Sequence, residues 1–338
     1  MLFPVFYMAL RKHLDSLVLT AVLTLCYALT LAPGLTWANG GADGGDLIAA
    51  AATDGVAHPT GYPLYLLLAR AFQAIPFGTL AFRTNLLSAT CTVFAALALR
   101  ALLLRQLDSR VPAVVAALVF GLAPVVWSQA VISEVYGLQS LLLVLFLFGL
   151  LDEKLPGGDW MRGFVFGLAL SNHLTTLFLL PLFLLRFHPE LGFAGPATLA
   201  KRGLACLLGL SLYLMLPLRA SLHPPINWGN PTSPQAFWWL ISARLYATYP
   251  FGVSWADAFL RLRTVNGLLL EQFTLPGVLI GIYGLFSGLP RRMFLASLWA
   301  FLSFVCFAIF YASYDSQVYL ITAFLAFAFW LAWGLRDI

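Results

Sequence analysis

Residues 36–65 read TWANGGADGGDLIAAAATDGVAHPTGYPLY. Three acids (Asp43, Asp46, Asp54) and a histidine (His58) crowd together there, in a chain that is otherwise mostly apolar. Ionisable groups are costly at the edge of a bilayer, so a cluster of them marks a functional site. A carboxylate in such a place can take a proton from an attacking hydroxyl. Glycine pairs precede Asp46, and the helix-prone run after them puts Asp43 at a helix N-terminus. Asp43 and Asp46, three residues apart, can share a face of that turn. The plainer alternative is that Asp43 only caps the helix. Capping leaves His58, the two prolines around Gly61 and Tyr62, and the nearby arginines unexplained.

The elements that must position these residues are membrane helices. Of 338 residues, 61% are hydrophobic and 10% charged, where soluble domains carry about 25% charged residues. The apolar runs are continuous rather than alternating, which selects an all-α polytopic bundle over a barrel. About ten spans are expected: 16–33, 82–104, 111–127, 135–151, two short helices within 163–187 that meet at His173, 203–217, 268–289, 293–311 and 318–335. The segment 61–77 is short and interrupted by Arg70 and Gln73, and reads as a helix lying at the interface. The whole of 1–338 is one transmembrane domain, with a catalytic outer loop at 36–80 and a second outer loop at 218–263. The first apolar run lacks a small-residue cleavage site and reads as a signal anchor. The four cysteines lie inside apolar runs and read as packing residues.

Basic residues orient the bundle. Of 19 lysines and arginines, 13 fall in segments assigned to the inner side, including all three lysines. The 6 outer ones are Arg70, Arg83, Arg219, Arg244, Arg261 and Arg263. The net charge of +5 is thus a topology signal and not a nucleic-acid one. A guanidinium fork suits phosphate; the alternative for Arg244, Arg261 and Arg263 is anchoring to lipid headgroups.

Asp43, Asp46, Asp54, His58, Arg83, Glu134, His173, Arg219, Asn227 and Asp315 all fall at or near the outer side, on different spans. The chemistry that fits is group transfer from a lipid phosphate. Arginines hold the phosphate, and one carboxylate deprotonates a hydroxyl as it attacks the anomeric carbon. The phosphate leaves readily, so the carboxylate pair of glycoside hydrolysis is unnecessary. A metal held by Asp43, Asp46 and His58 is the alternative, but an arginine-held phosphate makes a cation less necessary, and no cofactor is expected.

The run GADGGDLIAAAATDGVAHPTGYPLYLLLARAFQAIPFGTLAFRTNLLSA resembles the diagnostic block of a membrane family long catalogued as a domain of unknown function. That family includes the animal endoplasmic-reticulum O-mannosyltransferase acting on plexin-type receptors. Further matches are WSQAVISEVYGLQSL (127–141), LALSNHLTT (168–176), YLMLPLRASLHPPINWGNP (213–231) and YDSQVYL (314–320). The resemblance implies a GT-C-type glycosyltransferase fold and a polyprenyl-phosphate or dolichyl-phosphate sugar donor. It also implies inverting transfer of mannose or another hexose, on the non-cytosolic face, to a hydroxyl of a protein or glycan. Asp43 then matches the proposed base, and Asp46 stands where the family has Glu. Ala42 replaces a Gly and Thr60 a Pro, which alters fine geometry. Tyr62, Asn85, Tyr136 and Trp228 lie in the matched blocks. With His58, Arg83, Glu134, His173, Arg219, Asn227 and Asp315 they complete the candidate substrate-binding set, beside Asp43 and Asp46 as catalytic acids. Relatives continue into further spans or a soluble domain; if acceptor recognition lies there, a partner supplies it. The membrane is the plasma membrane in a prokaryote or the endoplasmic reticulum in a eukaryote.

Plainer roles exist for several of these residues. Glu134 can cap a helix, His173 can be a satisfied core histidine, and Trp228, Trp238, Trp239 and Trp255 can form an interfacial belt. A flippase of lipid-linked sugars is a second functional class, although no inverted repeat is apparent. A non-catalytic envelope scaffold is a third.

Overall fold

The computed structural model describes residues 2–152, 158–187 and 191–338, with side chains from residue 14 onward. Lys154, and the side chains of Arg11 and Lys12, all used in the orientation argument, lie outside the described residues. The protein is 75% helical. In chain order the helices are α1 (Leu2–Thr30), α2 (Gly44–Ala52), α3 (Pro63–Gln73), α4 (Leu80–Leu107), α5 (Arg110–Leu122), α6 (Pro124–Ala130) and α7 (Tyr136–Leu151). Then follow α8 (Gly158–Asn172), α9 (Leu180–Leu184), α10 (Pro196–Leu210), α11 (Met215–Ala220), α12 (Pro234–Ile241), α13 (Trp255–Phe286), α14 (Arg291–Phe310) and α15 (Ile321–Arg336). A two-residue hairpin, Leu185–Arg186 with Gly192–Phe193, is the sole sheet among the described residues.

Five helical segments are long and apolar enough to cross a membrane, and a sixth if one bent pair counts as a single span. The bent pair is α5 and α6, which meet at 64°. Pro124 opens α6, and a proline has no N–H to continue the ladder of α5. Shorter apolar helices cover Leu14–Thr30, Tyr136–Leu151 and Leu174–Leu184. The expected seventh span is part of a longer apolar run, Pro196–Ala220. Within the expected outer loop 218–263, α13 begins at Trp255 under a Ser254 cap that accepts from Asp257 N. The polar residues Arg261 and Arg263 mask the helical period there.

The core gathers around α15, in which every residue from Ile321 to Gly334 is buried. It packs against α13, α14 and α5. The pair α8–α10 approaches closely through glycine: a Cβ on Gly163 would lie 2.2 Å from the Arg202 carbonyl oxygen, and one on Gly167 2.2 Å from that of Cys206. Small residues four apart let membrane helices touch backbone to backbone. α8 ends at Asn172 and a 3-10 turn, Leu174–Leu179, takes over, so the break falls at His173 as expected.

Charged ties collect away from the site. Arg100 pairs with Asp15, Arg105 with Asp152 at 2.8 Å, and Arg202 with Asp159 at 2.8 Å. At the other end, the start of α7, the end of α8, the end of α14 and the approach to α15 converge on the acid-rich loop.

Candidate active site

The 36–62 loop is fixed by the chain that follows α11. Val56 N–H donates to the Ile226 carbonyl at 2.9 Å, and Trp228 N–H donates to the Val56 carbonyl at 3.1 Å. This parallel bridge needs Gly55, since a Cβ there would sit 2.4 Å from the Ile226 oxygen. The bridge delivers Trp228 to the acids. Its indole Nε1 donates to Asp46 Oδ1 at 2.8 Å. Asp46 Oδ2 accepts from the His58 backbone N–H at 2.9 Å and lies 2.7 Å from His58 Nδ1. Both oxygens of Asp46 are therefore engaged, and its side chain is 19% exposed.

Asp43 is different. It occupies the N-cap of α2, but its side chain makes no capping bond. Its Oδ2 lies 3.5 Å from His58 Nε2, and its side chain is 48% exposed. The imidazole thus stands between the two acids, with Nδ1 toward Asp46 and Nε2 toward Asp43. Burial pushes the Asp43 carboxyl above its ordinary value, the His58 charge opposes this, and Asp315 and Asp46 add to it. Burial also pushes on Asp46, but the hydrogen bonds and charge of His58, with that of Trp228, bring its carboxyl below the ordinary value. Two neighbouring aspartates are driven apart by their surroundings, an arrangement found where acids have different tasks.

Asp43 and His58 open onto a cavity of about 460 Å³. Tyr62, Tyr136, His173 and Asp315 line it too, each from a different segment. His173, Tyr136 and Tyr319 meet pairwise at 5.8 to 6.1 Å between ring centres. Tyr311 continues the wall against Tyr319 at 5.3 Å and Tyr249 at 5.5 Å, and Tyr246 follows at 5.7 Å. Aromatic faces edged with hydroxyls suit a sugar ring, with its apolar face and polar rim. Tyr246, Tyr249, Tyr311 and Tyr319 were missed by the sequence argument. Their signal was the clustered aromatics of YATYP and YASYDSQVYL, the latter around Asp315.

Other expected residues lie elsewhere. Arg83 is absent from the cavity lining: its Nε, Nη1 and Nη2 donate to the carbonyls of Phe77, Gln73 and Gly78 at 2.9, 2.6 and 3.0 Å. It closes the turn after α3. Asn85 ties loops together, donating to Ala32 and Gly34 carbonyls and accepting from Ser133 Oγ. Arg219 reaches Asp54 at 3.6 Å and the Gly55 carbonyl at 3.4 Å, behind the bridge. Asn227 donates to the Ala220 carbonyl at 3.3 Å. Glu134 is buried beside Tyr136, and burial raises its carboxyl well above the ordinary value. Among the described residues that line the cavity there is no arginine or lysine. Among the described residues no three His, Cys, Asp or Glu side chains are grouped to hold a metal ion.

Fold and site together define a polytopic, nearly all-α membrane protein that shelters an acid–histidine pair in a tyrosine-walled cavity. Residues 43–189 match the family model described as Protein O-mannosyl-transferase TMEM260 N-terminal domain, beginning at Asp43 itself. The chain is 31% identical over 273 residues to the mouse protein named Protein O-mannosyl-transferase TMEM260, an alignment covering 76% of this chain and 37% of that protein. It is 24% identical over 237 residues to the Dictyostelium discoideum protein of the same name, covering 63% of this chain and 28% of the relative. These findings bear out the resemblance to the family of the animal O-mannosyltransferase. The chain spans about a third of the length of the curated relatives it matches. No solved structure matches it.

Proposed function

We propose that this chain is the membrane-embedded catalytic domain of a GT-C-type glycosyltransferase. It moves mannose or a related hexose from a polyprenyl-phosphate donor to a hydroxyl acceptor. The observation that carries this reading is Asp43: a half-exposed carboxylate, free of capping duty, at the floor of a tyrosine-walled cavity. The names of the relatives support the mannosyl group and a protein acceptor. The convergence of the site on one end of the bundle supports a single catalytic face, and the distribution of basic residues supports the non-cytosolic side for it. About ten crossings, the shorter apolar helices included, make up the bundle, with α3 lying at the interface.

In the reaction, Asp43 accepts the proton of the acceptor hydroxyl. The hydroxyl oxygen forms its bond to the anomeric carbon from the face opposite the phosphate. The bond from that carbon to the phosphate oxygen breaks, and the electron pair leaves with the polyprenyl phosphate. The product is inverted at the anomeric centre. Asp46 touches neither partner; it orients His58, and His58 in turn holds the charge of Asp43. Tyr136, Tyr319 and His173 supply faces and polar edges for the sugar. No divalent metal is required in this scheme.

The experiment is direct. Purified protein in nanodiscs is supplied with polyprenyl-phosphate mannose and serine- or threonine-containing acceptor peptides, with and without EDTA. The expected result is peptide mannosylation matched mole for mole by free polyprenyl phosphate, unchanged by EDTA. Translocation of the donor across a bilayer without transfer would contradict it.

A further inference from the structure

The cavity has acids but no arginine or lysine along its described lining, and a donor phosphate carries negative charge. Five of the six outer arginines have partners elsewhere. Arg83 is spent on three carbonyls, and Arg219 on Asp54 and Gly55. Arg70 faces Asp54 and the Ala52 carbonyl. Arg261 donates to the Tyr311 carbonyl at 2.6 Å and reaches Ser313 and Ser316 as well. Arg263 lies over the Phe259 ring at 4.9 Å. Arg244 alone is left: it is exposed and, among the described residues, has no hydrogen bond, ion pair or ring contact. It opens the short 3-10 turn Arg244–Tyr246, and its chain neighbours Ser242, Ala243, Tyr246 and Ala247 all line the cavity. Tyr246, one turn-width on, is close enough to Asp43 to feel its charge.

We infer that Arg244 is the phosphate contact of the site, binding the phosphodiester of a lipid-borne sugar donor at the cavity rim. The inference rests on the glycosyltransferase reading and deepens it. It separates the two halves of the donor: the sugar enters the tyrosine-walled cavity toward Asp43, and the phosphate stays at the rim, away from Asp43 and Asp315. That separation avoids the like-charge repulsion that a phosphate between two carboxylates would meet. A free, exposed guanidinium can swing to take both phosphate oxygens in a fork.

A lipid headgroup offers the same phosphate chemistry, so the test uses both. Binding of polyprenyl-phosphate mannose, and separately of phosphatidylglycerol, is measured on the purified protein in detergent for the parent, Arg244→Gln, Arg244→Lys and Arg263→Gln. The expected result is a ten- to hundredfold weaker donor affinity in Arg244→Gln, partial recovery in Arg244→Lys, no change in Arg263→Gln, and phosphatidylglycerol binding equal in all. Equal donor affinity in the parent and Arg244→Gln overturns the assignment while leaving the glycosyltransferase reading standing. A parallel loss for phosphatidylglycerol also overturns it, since Arg244 would then be a general membrane anchor. A parent that binds no donor at all overturns the assignment and the glycosyltransferase reading together.

Discussion

Asp43 and Asp46 are three residues apart, and their surroundings give them opposite characters. Asp46 has three donors on two oxygens and is held ionised. Asp43 has one distant partner, and burial makes it more basic than an ordinary aspartate. A base must be ionised to act, so turnover should fall on acidification at a pH above the ordinary aspartate value of 3.8. The neighbours fix the signs of two shifts. His58→Gln removes a charge that lowers the Asp43 value, so the acid limb of kcat/KM should move to higher pH. Asp315→Asn removes a repelling charge, so the limb should move to lower pH. Profiles of the two variants that shift in the same direction, or not at all, would contradict Asp43 as the titrating group.

At the scale of elements, the site is assembled by backbone ties rather than by one rigid helix. The segment 311–316, which brings Tyr311, Ser313 and Asp315 to the cavity, is held from α13 by Arg261. Sequence alone left that arginine between phosphate recognition and a lipid anchor. Arg261→Gln should therefore cut kcat/KM for the donor by about tenfold, of the order expected for losing a charged hydrogen-bonding contact, with Arg261→Lys recovering part of it. Full activity of Arg261→Gln at unchanged protein stability would show that the loop holds itself. Much of this architecture was legible beforehand. Continuous apolar runs announced helices, and SNHLTT announced the break at His173. The crowding of Asp43, Asp46 and His58 announced the cluster that the fold brings into contact. What was illegible depends on long-range pairing. Nothing in the sequence tells that Arg83 folds back onto its own turn, or that Val56 bridges to Asn227. Nor does it tell that YATYP and YASYDSQVYL, more than 60 residues apart, form one wall. Arginines at the outer side look alike until their hydrogen bonds are known.

The whole molecule has two unlike ends. One gathers acids, histidines and tyrosines around the cavity; the other carries paired charges such as Arg105–Asp152 and Arg202–Asp159. Arg202 is 1% exposed, so Arg202→Met, which removes its bonds to Asp159 and to the Phe183 and Leu185 carbonyls while Arg162 still pairs with Asp159, should destabilise the protein by about 1–3 kcal/mol, read as a lowered melting temperature in detergent. An unchanged melting temperature would show the pair to be dispensable. In the proposed orientation, which follows the positive-inside rule, the cavity end faces outward. Single cysteines at Ala38 and Thr232, both exposed, should label with an impermeant thiol reagent in intact cells or sealed vesicles of known orientation, and one at Pro290 should not. Labelling at Pro290 alone would invert the orientation.

The measurement that bears most directly on the central claim is single-turnover transfer by Asp43→Asn beside Asp46→Asn, with donor binding followed on the same samples. Asp43→Asn keeps the shape of the side chain and removes its basicity. Transfer should fall by about 10²- to 10⁴-fold while donor affinity is retained. Asp46→Asn should lose less, because the amide oxygen can still accept one bond from His58 or Trp228. Full transfer by Asp43→Asn, or transfer lost in Asp46→Asn and kept in Asp43→Asn, would contradict the account.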